Sequence, residues 1–433
     1  MTLTNQNILK IAIAAVLVCG SATATSQDTL RMTLDDCLRY AYDHNLTVQT
    51  AELNKQSAEA DVSNAKWNFA PMLNASAGEN MNIQNGGTSF NTSAGVNANM
   101  TLFSGLANLR TLQQSKLSLQ QSELKVKQSQ NTIATQITQA YLTILMNQER
   151  LTYQQDVLKT SEEQKKEGEV KYNVGKILES DYLLLQANYE SALGNIENTR
   201  LTIENNRLEL RNLLCLDEGQ TVGVVDMQDD DNTMQLLSME QVIRQAEQNM
   251  PDLKISQMNV DLAKYNVKIA KSAYSPTLGL SGGANYFLGG TQLDQTSGTM
   301  VNGGNFSGTV GLNLNIPLLR GNTITQVKRS KINLRQAELQ HNQTALELRK
   351  TIEAQYIATA QARNQYRSSQ LMKDAYQANY NVYKLKYENG AVTTVDLLTQ
   401  QDRFLSALND YLQNKYTYLL DLKVLDIYMG AEN

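Results

Sequence analysis

Proline is nearly missing from this chain: four residues in 433, at Pro71, Pro251, Pro276 and Pro317. A long sequence with so few helix breakers reads as long uninterrupted segments. Cysteine is almost as scarce, three in all, and Cys19 lies next to the N-terminal apolar run, so no disulfide framework is present. Cys37 and Cys215 could pair in an oxidising compartment, but two unpaired core thiols are the expectation. The two histidines, His44 and His341, belong to no Cys, His or carboxylate cluster at ligand spacing, which excludes a metal centre. His44, in a polar Asp-His-Asn stretch, is expected at the surface. There is no G-x-S-x-G, no phosphate loop and no poised Cys–His pair, so neither enzyme nor cofactor is expected. Charge of one sign is also lacking: 38 basic residues stand against 43 acidic ones. Without a basic face the chain is not a nucleic-acid binder. Long apolar runs are absent as well. Mean hydropathy is polar, and the single run Ile8–Val18 is too short to cross a bilayer.

That run has Lys10 near its start and Ala22-Thr-Ala24 behind it. The arrangement is that of a secretory signal, residues 1–24, cut after Ala24. Val18 before Cys19 is not the small residue that lipid attachment wants.

What is present comes twice. Ala65-Lys-Trp-Asn-Phe-Ala-Pro71 returns as Ala270-Lys-Ser-Ala-Tyr-Ser-Pro276, and Tyr172-Asn-Val-Gly-Lys-Ile-Leu-Glu-Ser-Asp181 returns as Tyr387-Glu-Asn-Gly-Ala-Val-Thr-Thr-Val-Asp396. The reading is two structural repeats, 25–238 and 239–433. Each runs helix, two strands, very long helix, tight turn, returning helix.

Strands are predicted at 72–83, 90–103, 277–288 and 306–317. Each alternates with period two: Leu73, Ala75, Ala77, Met81 and Ile83 fall between Asn74, Ser76, Asn80 and Asn82. One face is apolar and the other carries Asn, Ser, Thr and Gly, at the length of a tilted transmembrane strand. The links Gln84–Ser89 and Gly289–Asn305 read as surface loops. From Leu106 to Tyr172, and again from Asn322 to Tyr387, no proline occurs. A helix of that span is about 100 Å long at 1.5 Å per residue. Apolar residues step by seven along the returning helices: Tyr182, Tyr189, Ile196, Ile203, Leu210 and Leu397, Phe404, Tyr411, Tyr418, Leu425. That is a coiled-coil seam. Helices 181–214 and 35–70 together match one long helix if stacked end to end. Stretch 215–238, with Asp229-Asp-Asp231, would form a belt at the stacking level, the acidic triplet being a solvated loop.

Lipid requires every backbone polar group to be paired, so four strands with two open edges must be pooled between chains. Two, three or four copies would satisfy this. The chain resembles the TolC-like outer-membrane efflux protein family over nearly its whole mature length. The likeness rests on the opening Thr33-Leu-Asp-Asp-Cys-Leu-Arg-Tyr-Ala-Tyr-Asp-His-Asn-Leu and its echo from Met239. It rests also on the Ala-Lys…Pro blocks, on the strand exits Leu102-Phe-Ser-Gly105 and Pro317-Leu-Leu-Arg-Gly321, and on the turn Tyr-x-x-Gly-x-x-x-x-x-Asp.

The resemblance implies an α+β membrane protein: a long antiparallel α-helical coiled-coil barrel in the periplasm, and four transmembrane β-strands per chain completing a trimeric 12-stranded barrel in the outer membrane of a Gram-negative bacterium. It implies a homotrimer that serves as the exit duct of a tripartite efflux or type I secretion system. The partners implied are a periplasmic adaptor, an inner-membrane pump of RND or ABC type and outer-membrane lipid. It places Val174, Gly175, Asn389 and Gly390 at an adaptor-docking tip, and Asp181, Asp396 and Tyr387 in a periplasmic gate. The chain departs from the family in carrying Thr399 where members carry a second acid and Val392 where some carry arginine; Asp402 is a poor substitute in spacing. A periplasmic coiled-coil adaptor of the membrane-fusion type is the alternative, although adaptors carry one hairpin rather than two.

Overall fold

The structure, a computed structural model, describes residues 29–84, 87–217, 219–226, 236–289 and 303–430. The leader 1–24, the acidic triplet Asp229–Asp231 and the bulk of the second inter-strand link lie outside these residues. The elements, in order, are β1 (Thr29–Met32), α1 (Leu34–His44), α2 (Leu46–Trp67), β2 (Met72–Gln84), β3 (Gly87–Ser104), α3 (Ala107–Asn173) and α4 (Glu179–Leu214). They continue with β4 (Thr221–Val224), α5 (Met239–Asn249), α6 (Pro251–Ser272), β5 (Thr277–Gly289), β6 (Gly303–Asn315), α7 (Gly321–Glu388) and α8 (Thr394–Met429). Helices α3 and α7 have 67 and 68 residues, the length that the absence of proline allows. No described helix is long and apolar enough to cross a membrane.

The expected helix 35–70 is two helices. Asn45 adopts an extended conformation between them; its Oδ1 accepts from Thr47 N at 2.8 Å and its Nδ2 donates to Leu213 O at 2.7 Å. An asparagine that satisfies the backbone locally ends one helix and caps the next. The same seam joins α2 end to end with α4, because Leu213 sits in the last turn of α4. The second half breaks at Met250, held extended ahead of Pro251, and Asn249 Nδ2 donates to Met429 O at the end of α8.

A belt closes around this level. Stretch 215–238 contains strand β4, which the sequence did not announce, and β4 pairs in parallel with β1. Tyr141 of α3, fully buried, fastens that pair: its hydroxyl donates to Val225 O at 2.6 Å and accepts from Val225 N at 3.1 Å. Around it lie Leu34, Cys37, Ile137, Ile144, Leu210 and Val222 in one apolar cluster. Burial pushes the Cys37 thiol up to about 12, so this cysteine is an inert packing residue. Both Cys37 and Cys215 are free, Cys215 half-buried. His44 is exposed and stacks on Tyr40.

The four long strands form one antiparallel sheet in the order β2-β3-β5-β6. The β2–β3 ladder is unbroken up to Gln84↔Gly87, so strand pairing extends into the expected link 84–89 from both sides; residues 85 and 86 lie outside the described residues. Strand β6 starts at Gly303 and stops at Asn315, shifted toward its N-terminus from the expected 306–317. A register shift at Leu102 bends the β3–β5 ladder. β2 and β6 are edges, and among the described residues nothing pairs their outer sides.

Candidate functional site: the strand face and the helix tips

Registers sort the strand residues by face. Asn74 stands opposite Asn97, Asn97 opposite Gly283, and Gly283 opposite Thr309. The same face holds Ser76, Asn80, Asn91, Asn99, Ser281, Asn285, Ser307 and Asn313, with no ionised side chain among the described residues. Glycines make room for the amides: a Cβ on Gly95 would overlap Asn285 Oδ1, and one on Gly283 would overlap Asn97 Oδ1. The opposite face exposes Leu73, Ile83, Val96, Val310 and Leu312. A single carboxylate, Glu79, stands on this apolar face, opposite Thr92.

At the other end of the molecule are the two helix–helix turns. Each ends its long helix with the same pair of hydrogen bonds. Lys176 N donates to Lys171 O (2.8 Å) and Gly175 N to Tyr172 O (2.9 Å); Ala391 N donates to Lys386 O (2.8 Å) and Gly390 N to Tyr387 O (3.0 Å). This is the Schellman closure, and its left-handed residue is Gly175 in one turn and Gly390 in the other, both at φ +72°. Val174 and Asn389 are the exposed residues just before them.

The two aspartates at the tip are not equivalent. Asp396 belongs to a capping box: its Oδ2 accepts from Thr393 Oγ1 (2.7 Å) and Thr393 N (3.1 Å), while Asp396 N donates to Thr393 Oγ1 (3.2 Å). Those bonds hold its carboxyl below the usual value. Asp181 lies in the first turn of α4 behind Leu178, which caps nothing with its side chain. Asp181 is half-buried and its carboxylate serves no cap, whereas Asp396 is exposed. Thr399 donates its hydroxyl to Val395 O at 2.7 Å, a bond within its own helix. Val392 packs against the cluster of Tyr380, Tyr387, Leu397 and Phe404, so the position where arginine was weighed supplies apolar contact.

Tyr387 is not at the surface. It is 4% exposed, and its hydroxyl has no partner among the described residues. No hydrogen bond joins it to Asp181 or Asp396 among those residues. What meets it is Lys171, which the sequence reading did not single out. The Lys171 ammonium sits 4.3 Å from the Tyr387 ring centroid, 3.4 Å from Tyr387 O and 2.7 Å from Glu167 Oε1. One heptad earlier on each helix, Gln164 Nε2 donates to the Tyr380 hydroxyl at 3.3 Å. These two rungs, with the Lys384–Glu163 ion pair at 3.9 Å, tie the ends of α3 and α7. Around the first rung the packing is polar: Ser161, Gln164 and Gln401 are buried, and the Oε1 atoms of both glutamines lack partners. Gly168 lets Leu185 of α4 close against α3.

The model of the outer membrane efflux protein family matches residues 38–215 and 242–431. The chain belongs to the outer membrane efflux protein family. Its location is therefore the outer membrane, and its family is one of channels rather than enzymes. The adaptor alternative falls with that assignment. The outer membrane efflux protein BepC of Brucella suis is 30% identical over 160 residues, which cover 35% of this chain and 32% of BepC. The match thus spans about a third of that relative. Likeness of fold is far broader. The CmeC outer membrane channel of Campylobacter jejuni superposes with a TM-score of 0.76 at 20% identity, covering 92% of this chain and 86% of CmeC. The outer membrane protein VceC of Vibrio cholerae gives 0.74 at 16% identity, covering 92% and 96%. At such identities the fold is shared, and the tip residues must be argued on their own geometry.

Proposed function

We propose that this chain is one third of a passive exit duct, carrying cargo from the periplasm to the outside. One observation carries the reading: a four-stranded sheet with an apolar face, an uncharged polar face and two open edges, rooted on helices of 67 and 68 residues. In hydrocarbon the open edges leave backbone groups unpaired, and head-to-tail pairing of β6 with β2 of the next copy removes them. Three copies give twelve strands, and the Asn-, Ser- and Gly-rich face lines the water-filled lumen. The units 25–238 and 239–433 are a duplication, behind a leader at 1–24 that is removed on export.

The helices extend into the periplasm, and the turns at Val174-Gly175 and Asn389-Gly390 form the tip that docks on a periplasmic adaptor. Through it the duct receives cargo from an inner-membrane pump of RND or ABC type, in a tripartite efflux or type I secretion system. Asp181, Asp396 and Tyr387 belong to the gate there, in different ways. Asp181 presents a ring of carboxylates to the passage, Asp396 fixes the start of α8, and Tyr387 is the buried anchor of α7.

The test is reconstitution. The purified protein in detergent is expected at three times the chain mass by native mass spectrometry, and to form discrete, cation-preferring channels in planar bilayers. A folded protein that inserts as a monomer, or a trimer with no conductance under any condition, would sink the reading.

A further inference from the structure

Just past the end of β6 the chain runs Ile316-Pro317-Leu318-Leu319-Arg320 before α7 begins at Gly321. Leu318 is 93% exposed and Leu319 87%, the two most exposed large apolar side chains described. No described residue covers them. At the opposite edge of the sheet, just before and at the start of β2, Trp67 is 71% exposed, with Phe69 and Met72 exposed beside it. Both groups sit at the helix end of the sheet. The ladder shows this directly: Met72 pairs near the end of β3 with Asn99, Ser104 pairs with Thr277, and Thr277 pairs with Asn315.

We propose that Leu318 and Leu319 of each copy pack on Trp67, Phe69 and Met72 of the next, sealing the seam between copies where the strands give way to helices. The inference rests on the exit-duct reading and names the contact that closes it. The two free edges run in opposite directions, β2 away from the helices and β6 toward them. Joining them continues the antiparallel order and brings the Asn315 end beside the Met72 end. The surfaces differ, so the contact is head-to-tail and closes as a ring. The helix–strand junction is where the edge ladder stops. A seam there without side-chain packing would leave two open backbones beside water and lipid, whereas a pair of leucines against an indole and a phenyl ring excludes both. A second copy is a better occupant than acyl chains. Lipid would cover the leucines equally well, but it would leave the matching apolar group at the other edge unexplained.

The experiment places the photocrosslinking amino acid p-benzoylphenylalanine at position 318 in the full chain, expressed in its membrane. After illumination, denaturing electrophoresis should show covalent dimers and trimers. The crosslinked mass should be that of the peptide carrying position 318 plus that of the tryptic peptide beginning at Trp67. Native mass spectrometry of the unilluminated protein is run beside it. A trimer whose label goes to lipid, or to no second chain, overturns the seam and leaves the duct reading standing. A monomer overturns the duct reading and the seam together. A second arm uses Leu318→Ser with Leu319→Ser. The oligomer should be lost at a temperature that the parent oligomer survives, while Leu318→Ile retains it. An oligomer equally resistant in the double variant also overturns the proposal.

Discussion

Replacing Lys171 by methionine tests the tie between the two hairpins. Methionine keeps the apolar stem and removes the charge, so packing along α3 changes little. Three contacts are lost. The ammonium over the Tyr387 ring, 4.3 Å from its centroid on a side chain only 20% exposed, contributes about 1 kcal/mol. The 3.4 Å bond to Tyr387 O is at the edge of hydrogen-bond range and adds about 0.5 kcal/mol. The ion pair with the partly exposed Glu167 adds about 0.3 kcal/mol. The ion pair lies within α3, so only the first two join α7 to α3; they make about 1.5 kcal/mol per chain, roughly a tenfold change in how often the end of α7 leaves α3.

Hydrogen exchange reads that change site by site. Amides of α7 from Tyr383 to Glu388 should exchange about ten times faster in Lys171→Met. Those of the belt around Tyr141 should be unchanged, and Lys171→Arg, which keeps a cation over the ring, should behave as the parent. In planar bilayers Lys171→Met should open more often. If exchange at the end of α7 is unaffected, the rung is incidental and the reasoning fails. If exchange accelerates while conductance is unchanged, the tie is real but the tip is not the gate.

Other expectations follow from single contacts. Tyr141→Phe removes the hydroxyl bonded to Val225 O, Val225 N and Met32 O, leaving Val225 N only its 3.4 Å bond to Met32 O, and should lower stability by about 1–3 kcal/mol, measured as loss of exchange protection in β1 and β4; an unchanged belt would refute its role as fastener. Gly105 holds φ +62°, and a Cβ there would lie 2.7 Å from Ser272 O, so Gly105→Ala should cost about 2–4 kcal/mol and be read as a lower melting temperature. The capping carboxylates Asp36 and Asp396 are both held below their ordinary value of 3.8 by threonine hydrogen bonds. Their stabilisation is therefore present above 3.8 and is lost as pH falls below it. The starts of α1 and α8 should fray in that acid window, and Thr393→Val should abolish the effect at α8 alone.

Much of the fold is legible because period-two and proline-free stretches are long-range statements made by local sequence. The alternation Leu73, Ala75, Ala77 fixes a face without reference to any partner strand. The belt is not legible in that way. β1 and β4 are four residues each and pair across almost the whole first half of the chain, so neither carries a pattern of its own. The break at Asn45 could have been found: an asparagine after His44 and before an apolar-periodic run is a capping signal. Lys171 could not, since its partner Tyr387 is brought alongside only when both hairpins are folded and in register. The tip aspartates show the opposite limit. Asp181 and Asp396 occupy matching places in the repeated motif, yet Thr393 precedes one and Leu178 the other. A hydroxyl three residues upstream turns a carboxylate inward to the backbone, and a leucine leaves it free.

That difference locates charge discrimination in the proposed duct. The strand lumen presents amides, hydroxyls and glycines, with Met72 and Phe287 as apolar members, and neutral groups hold no fixed sign against passing ions. A ring of carboxylates in a narrow passage does, by focusing the field where water is thin. Asp181, half-buried but with no cap to serve, is the residue left to do this, with the exposed Glu179 two positions before it in the same first turn. Asp396 has two of its bonds committed to Thr393. Asp181→Asn should therefore reduce cation preference and weaken block by trivalent cations more than Asp396→Asn does, whereas Asp396→Asn should act first on the start of α8. Reversal potentials in a salt gradient, measured on both variants and their double, decide it. Equal effects from the two would mean that the capping box opens in the assembled tip. No effect from either would mean that the field in the passage is set by other groups, and that the carboxylates serve their helices alone.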